Sequence, residues 1–93
     1  MPRPYAEIID MIAQACGPEA PREPAELARV LRTRAIAHPD LRACGLLLGA
    51  SEMIGSAEDV GLYPGAAETM RTAFAEEALD AVSAYTAEFP AGP

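Results

Sequence analysis

The chain contains no tryptophan, no lysine and a single histidine, and only 5% of its residues are aromatic. Without large rings the core has to be assembled from aliphatic side chains and alanine, so it is thin. A domain of 93 residues buries roughly 60–65% of its unfolded surface, and self-association or docking on a partner is a natural source of added stability. One histidine and two cysteines, Cys16 and Cys44, are too few and too badly spaced for a structural zinc site. Their separation also matches neither a secreted disulfide framework nor a paired CxxC motif, which predicts reduced, packed thiols. EF-hand, phosphate-cradling and dinucleotide motifs are missing, and no metal or cofactor is expected.

Long apolar runs are lacking too. No stretch reaches the ~20 residues that a bilayer span needs, and the opening MPRPYAEIID has no cationic-then-apolar signal pattern; a cytoplasmic location without membrane contact is expected. Positive charge is scarce beyond residue 42. Net charge is −7, residues 1–42 carry six acids and six arginines, and residues 43–93 carry eight acids and Arg71 alone. A phosphate backbone attracts the opposite sign of surface, which disfavours direct nucleic-acid binding. Abundant alanine, arginine and proline with no lysine point to a GC-rich bacterial or phage coding source.

What the chain does have is helical periodicity. Pro4 suits a first turn, and Tyr5, Ile8, Ile9, Ile12, Ala15 and Cys16 form one stripe that Gly17 and Pro18 end. A proline-rich connector, GPEAPREP, leads to a second helix from Pro24 or Ala25 toward His38, with the stripe Leu27, Val30, Leu31 and Ala35. Arg34 and His38 fall on the same line as Leu27 and Leu31, while Ile36 falls opposite. Either this helix ends before residue 38, as Pro39 favours, or two polar groups face a packed surface. Pro39 and Asp40 can open a third helix, Leu41 to about Ile54, whose run ACGLLLGA makes it the central, most buried element. Leu41, Cys44, Leu47, Leu48 and Ile54 form one face of it. Gly45 and Gly49, opposite them, predict a close backbone approach, and because glycine disfavours helix a strand at 44–49 competes. Ser56 and Asp59 resemble a capping box opening a short helical turn around residues 56–62. From Ala66 to Phe89 there is neither proline nor glycine, and Ala67, Met70, Phe74, Ala78, Ala81, Val82, Tyr85 and Phe89 keep helical spacing for about 36 Å. The expected fold is all-α: one compact bundle of four helices plus a short helical turn, spanning residues 1–93, with residues 1–3 and 90–93 frayed.

Chemistry-bearing residues are sparse. Cys44 and His38 could form a nucleophile pair only across a predicted break, with no orienting group, and the adjacent carboxylates Glu58–Asp59 and Glu76–Glu77 diverge by about 100° on a helix. These observations favour a non-enzymatic protein. A partly buried pair joining Glu77 to Arg34 or His38 would fix the register of the second and fourth helices. The surface is more informative: Glu58, Asp59, Glu68, Glu76, Asp80 and Glu88 make the carboxy-terminal half acidic, with Glu52 nearby, and Leu79 is expected as an exposed apolar contact inside that acidic rim. This pattern predicts an inhibitor or adaptor that docks on a larger protein with a basic surface. One form of it is an inhibitor occupying a nucleic-acid-binding groove, as small acidic phage anti-defence proteins (anti-CRISPRs) do, a likeness of size and charge alone. The alternative is a homo-oligomeric subunit, such as a homodimer, pairing through the fourth helix or the glycine face of the third. A small-molecule pocket among Tyr5, Cys44, Met70, Phe74 and Tyr85, or an enzyme using His38, is the third reading.

Overall fold

In a computed structural model that describes residues 3–63, 65 and 68–90, the chain forms four helices: α1 (Tyr5–Cys16), α2 (Pro24–Ala37), α3 (Leu41–Gly61) and α4 (Glu68–Glu88). No strand occurs among the described residues, so the glycine-containing run 44–49 is helical. Each boundary has a local cause. The Pro4 carbonyl accepts from the amides of Glu7 and Ile8, and Gly17, at φ 126°, closes α1 by donating to Ala13 and Gln14. That left-handed region is one that only glycine enters at low cost. Glu23 caps α2, its carboxylate accepting from the Glu26 amide at 2.8 Å, and Pro24 follows as the first helical residue. Pro39 then forces an extended His38 and ends α2 at Ala37. Asp40 caps α3 through Oδ1, which accepts from the Ala43 amide at 3.0 Å.

The short helical turn expected around 56–62 is not a separate element. It is the last part of α3, which runs unbroken for 21 residues, about 32 Å. Ser56 and Asp59 cap nothing there, because the helix entering from residue 55 already supplies partners for their amides. The predicted positions Ala66 and Ala67 lie outside the described residues, as do Met1, Pro2 and residues 91–93. Arg3 was expected to fray, yet it is tied down: its guanidinium donates to Glu76 at 2.6 Å and to the Met11 sulfur at 3.2 Å.

The packing order is α2 against α3, α3 against α4, and α4 against α1, in a body 44 × 24 × 21 Å across. One core joins them. Ile8, Ile9 and Ile12 from α1, Leu27 and Leu31 from α2, Leu47 and Ile54 from α3, and Leu79 and Val82 from α4 are its large members, with alanines between. Each such aliphatic side chain contributes roughly 1.5–3 kcal/mol by leaving water. Alanine at Ala35, Ala43, Ala50, Ala57, Ala75 and Ala78, all fully buried, lets the helices approach closely enough to compensate for the missing rings. Ser51 is the buried polar residue of α3, and its hydroxyl donates to the Ala28 carbonyl at 2.7 Å, pinning α3 to α2.

Three expectations about faces fail for physical reasons. Leu41 is 87% exposed; it sits in the first turn of α3, on the side away from the core. Gly45 and Gly49 mediate no close approach within the chain, because a Cβ built on either would meet nothing within 4 Å. Helix α3 is thus central but not enclosed, with one long side facing outward. On α4, Leu79 is buried and Met70 is half exposed. Since α4 packs against both α1 and α3, its buried arc is wide and takes in Ala75 and Leu79 besides the expected stripe.

Candidate functional site

The acidic residues expected to form a docking face are largely engaged within the chain. Glu76 holds Arg3, and Glu88 holds Arg42 through both oxygens, one contact measuring 2.7 Å. That pair lowers the Glu88 carboxyl and raises the Arg42 guanidinium, the hydrogen bond being the main cause in each. Glu58 accepts from the Tyr5 hydroxyl at 2.7 Å and from Arg71 Nη2 at 3.3 Å, and Glu68 lies 3.7 Å from Arg71 Nη1. Asp59 and Asp80 are exposed and free of ion pairs among the described residues, as are Glu7, Glu19, Glu52 and Glu77. The exposed leucine expected at position 79 lies in the core instead. Nothing in the linear sequence distinguished the paired carboxylates from the free ones, since their arginines come from other helices.

The register pair joining α2 to α4 does not form. Glu77 is exposed, and Arg34 turns the other way, donating Nη1 to the Cys16 carbonyl at 2.8 Å. It thereby satisfies an acceptor left over at the end of α1, where a cation is also favoured by the helix dipole. Burial pushes the Cys16 thiol up, partly offset by Arg34, and both cysteines are free. His38 lies beyond α2 with its Nδ1 accepting from the Asp40 amide at 3.0 Å. Its ring packs edge-on against Tyr85 and Phe89, centroids 5.9 and 5.5 Å away. The histidine is a capping and packing residue here, not a partner of Cys44.

The residues expected to line a small-molecule pocket line neither of two hollows in the surface. Tyr5 is buried in the core, and Cys44, Phe74 and Tyr85 pack against it. One open hollow of about 540 Å³ is lined by Asp40, Leu41, Arg42, Gly45 and Leu46; another of about 200 Å³ lies between Arg3, Pro4, Glu68, Thr69 and Thr72. Among the described residues no group of three or more His, Cys, Asp or Glu is placed to hold a metal ion, and no helix is long and apolar enough to cross a membrane.

Exposed apolar residues with carboxylates near them in the chain do occur, at a place that helical periodicity could not indicate. At the α3–α4 corner Leu62 is 80% and Tyr63 71% exposed, and Met70, two residues into α4, is 51% exposed. Asp59 and Glu68, close to them in the chain, are exposed as well. Arg71 holds the corner together: its guanidinium lies 4.1 Å over the Tyr5 ring and joins Glu58 to Glu68, while Gly61 leaves room for it, a Cβ there coming within 3.0 Å of Nε. The sequence signal of this corner is Gly61, Leu62 and Tyr63 followed by the lone arginine of the acidic half. Compared with protein-family models, curated proteins and solved structures, the chain matches none.

Proposed function

We propose that this chain is a non-enzymatic protein-binding module, an inhibitor or adaptor that docks on the basic surface of a larger protein through its α3–α4 corner. The observation that carries the reading is the exposure of Leu62, Tyr63 and Met70 where α3 ends and α4 begins, close in the chain to the exposed carboxylates Asp59 and Glu68. Apolar and aromatic anchors within a polar rim are the usual anatomy of a binding hot spot. The corner is also braced from behind by Arg71, Tyr5 and Glu58, so little order has to be imposed on binding. Carboxylates left free on α3 and α4, Asp59, Glu77 and Asp80, add to the negative field of this half and would steer a cationic partner toward contact.

The experiment is capture of binding proteins from the organism that encodes the chain, using the intact protein as bait at low and at high salt. A retained protein with a basic contact surface, held more weakly as salt rises, supports the reading. Retention indifferent to salt argues against its electrostatic part.

A further inference from the structure

We infer that the outward side of α3 is the contact surface for a second copy of this chain, paired antiparallel about a two-fold axis at the level of residue 47. The surface is separate from the α3–α4 corner, so the inference stands or falls independently of the proposed function.

The starting point is an unexplained cost. Glycine within a helix costs about 1 kcal/mol relative to alanine, yet Gly45 and Gly49 have neither a positive φ nor a neighbour within 4 Å of a built Cβ. Nothing inside the monomer requires them. Two glycines alone would prove little; the flanking residues decide the matter. Arg42 stands three residues before Gly45, and Glu52 three residues after Gly49, so all four lie on one side of the helix. Arg42, Gly45 and Glu52 are exposed, and Gly49 is half exposed.

When two such helices are placed antiparallel with Gly45 opposite Gly49 of the second copy, the same register sets Arg42 opposite the second copy's Glu52. Leu41, 87% exposed in the monomer, borders the same side of the helix. A single axis therefore brings together the small residues and the opposite charges, and by symmetry each contact occurs twice. Arg42 retains the capacity for this. Glu88 occupies its Nε and Nη2, leaving Nη1 without a hydrogen bond among the described residues, and a guanidinium serves two carboxylates through its five N–H groups. The hollow of about 540 Å³ beside Leu41, Gly45 and Leu46 is apolar space that the second copy fills. Charge complementarity selects a copy of this chain over a uniformly basic partner, since the row carries one cation and one anion in self-complementary order.

The test is sedimentation equilibrium of the full chain, from micromolar to millimolar concentration, on four proteins: the natural sequence, Gly49→Leu, Arg42→Glu, and Arg42→Glu combined with Glu52→Arg. Dimer in the natural protein is expected, together with loss of dimer in Gly49→Leu at an unchanged or higher melting temperature of the dilute monomer. Arg42→Glu should weaken association by about tenfold and the charge-reversed double variant should restore it. Restoration separates the contact between copies from the intrachain Arg42–Glu88 pair, which Glu52→Arg cannot repair. A natural protein that stays monomeric at millimolar concentration, a Gly49→Leu protein that still dimerises, or a double variant no better than Arg42→Glu overturns the inference.

Discussion

The Arg71 guanidinium lies 4.1 Å above the Tyr5 ring and shares Glu58 with the Tyr5 hydroxyl. Through this one relationship the sole cation of the acidic half joins α1, α3 and α4. The geometry has a price: Arg71 Nε is buried without a hydrogen-bond partner. Stacking, charge and the fork of the two terminal nitrogens outweigh that loss.

Replacing Arg71 by alanine is therefore expected to destabilise the fold by about 2 kcal/mol, a fall of roughly 10 °C in melting temperature. Thermal unfolding followed by circular dichroism checks this. A change no larger than for an ordinary surface arginine, such as Arg32→Ala, would show that the cluster contributes little.

Glycine positions in α3 should separate by their neighbours. Gly49→Ala, measured on dilute monomer, should stabilise by up to about 1 kcal/mol, because it gains helix propensity without a clash. Gly61→Ala should be destabilising, since its Cβ would come within 3.0 Å of Arg71 Nε and that side chain is held by Tyr5, Glu58 and Glu68. Equal effects at the two sites would contradict the packing described for the corner.

Tyr5 predicts an alkaline limit. Burial pushes its hydroxyl well above the usual tyrosine value of about 10, with the hydrogen bond and charge of Glu58 adding to the shift and Arg71 partly opposing it. A group whose folded pKa is raised contributes stability that is complete below its unfolded pKa and is lost as pH rises beyond it. Melting temperature should thus fall above about pH 10, and Tyr5→Phe, lacking the ionisable group, should fall less steeply over the same range. Parallel curves for the two proteins would remove Tyr5 as the cause.

Helix positions were legible in the sequence because their causes are local. Gly17, Pro24, Pro39 and Asp40 act on the backbone next to them, and Ile8, Ile12, Leu27 and Leu31 repeat at the helical period. What escaped was set by residues distant in the chain. Leu79 looked exposed because its sequence neighbours Glu76 and Asp80 are polar, but α1 and α3 together cover a wider arc of α4 than a single stripe implies. Glu58, Glu76 and Glu88 looked free because Tyr5, Arg3 and Arg42 lie on or beside other helices. Leu62 and Tyr63 carry no periodic signal, because a corner has no period.

The exchange of roles between Leu79 and Leu62 can be measured directly. Leu79→Ala should cost about 2–4 kcal/mol of stability as a core truncation, whereas Leu62→Ala should change stability by less than about 0.5 kcal/mol. Denaturant unfolding of the two variants distinguishes them, and similar losses in both would place Leu62 in the core.

The proposal of a docking corner is tested most directly by a bait in which Leu62, Tyr63 and Met70 are all replaced by serine, compared with the natural bait in the same cell extract after both are shown to melt alike. The account predicts one or more proteins retained by the natural chain and absent from the altered one. An identical set on both baits would contradict it.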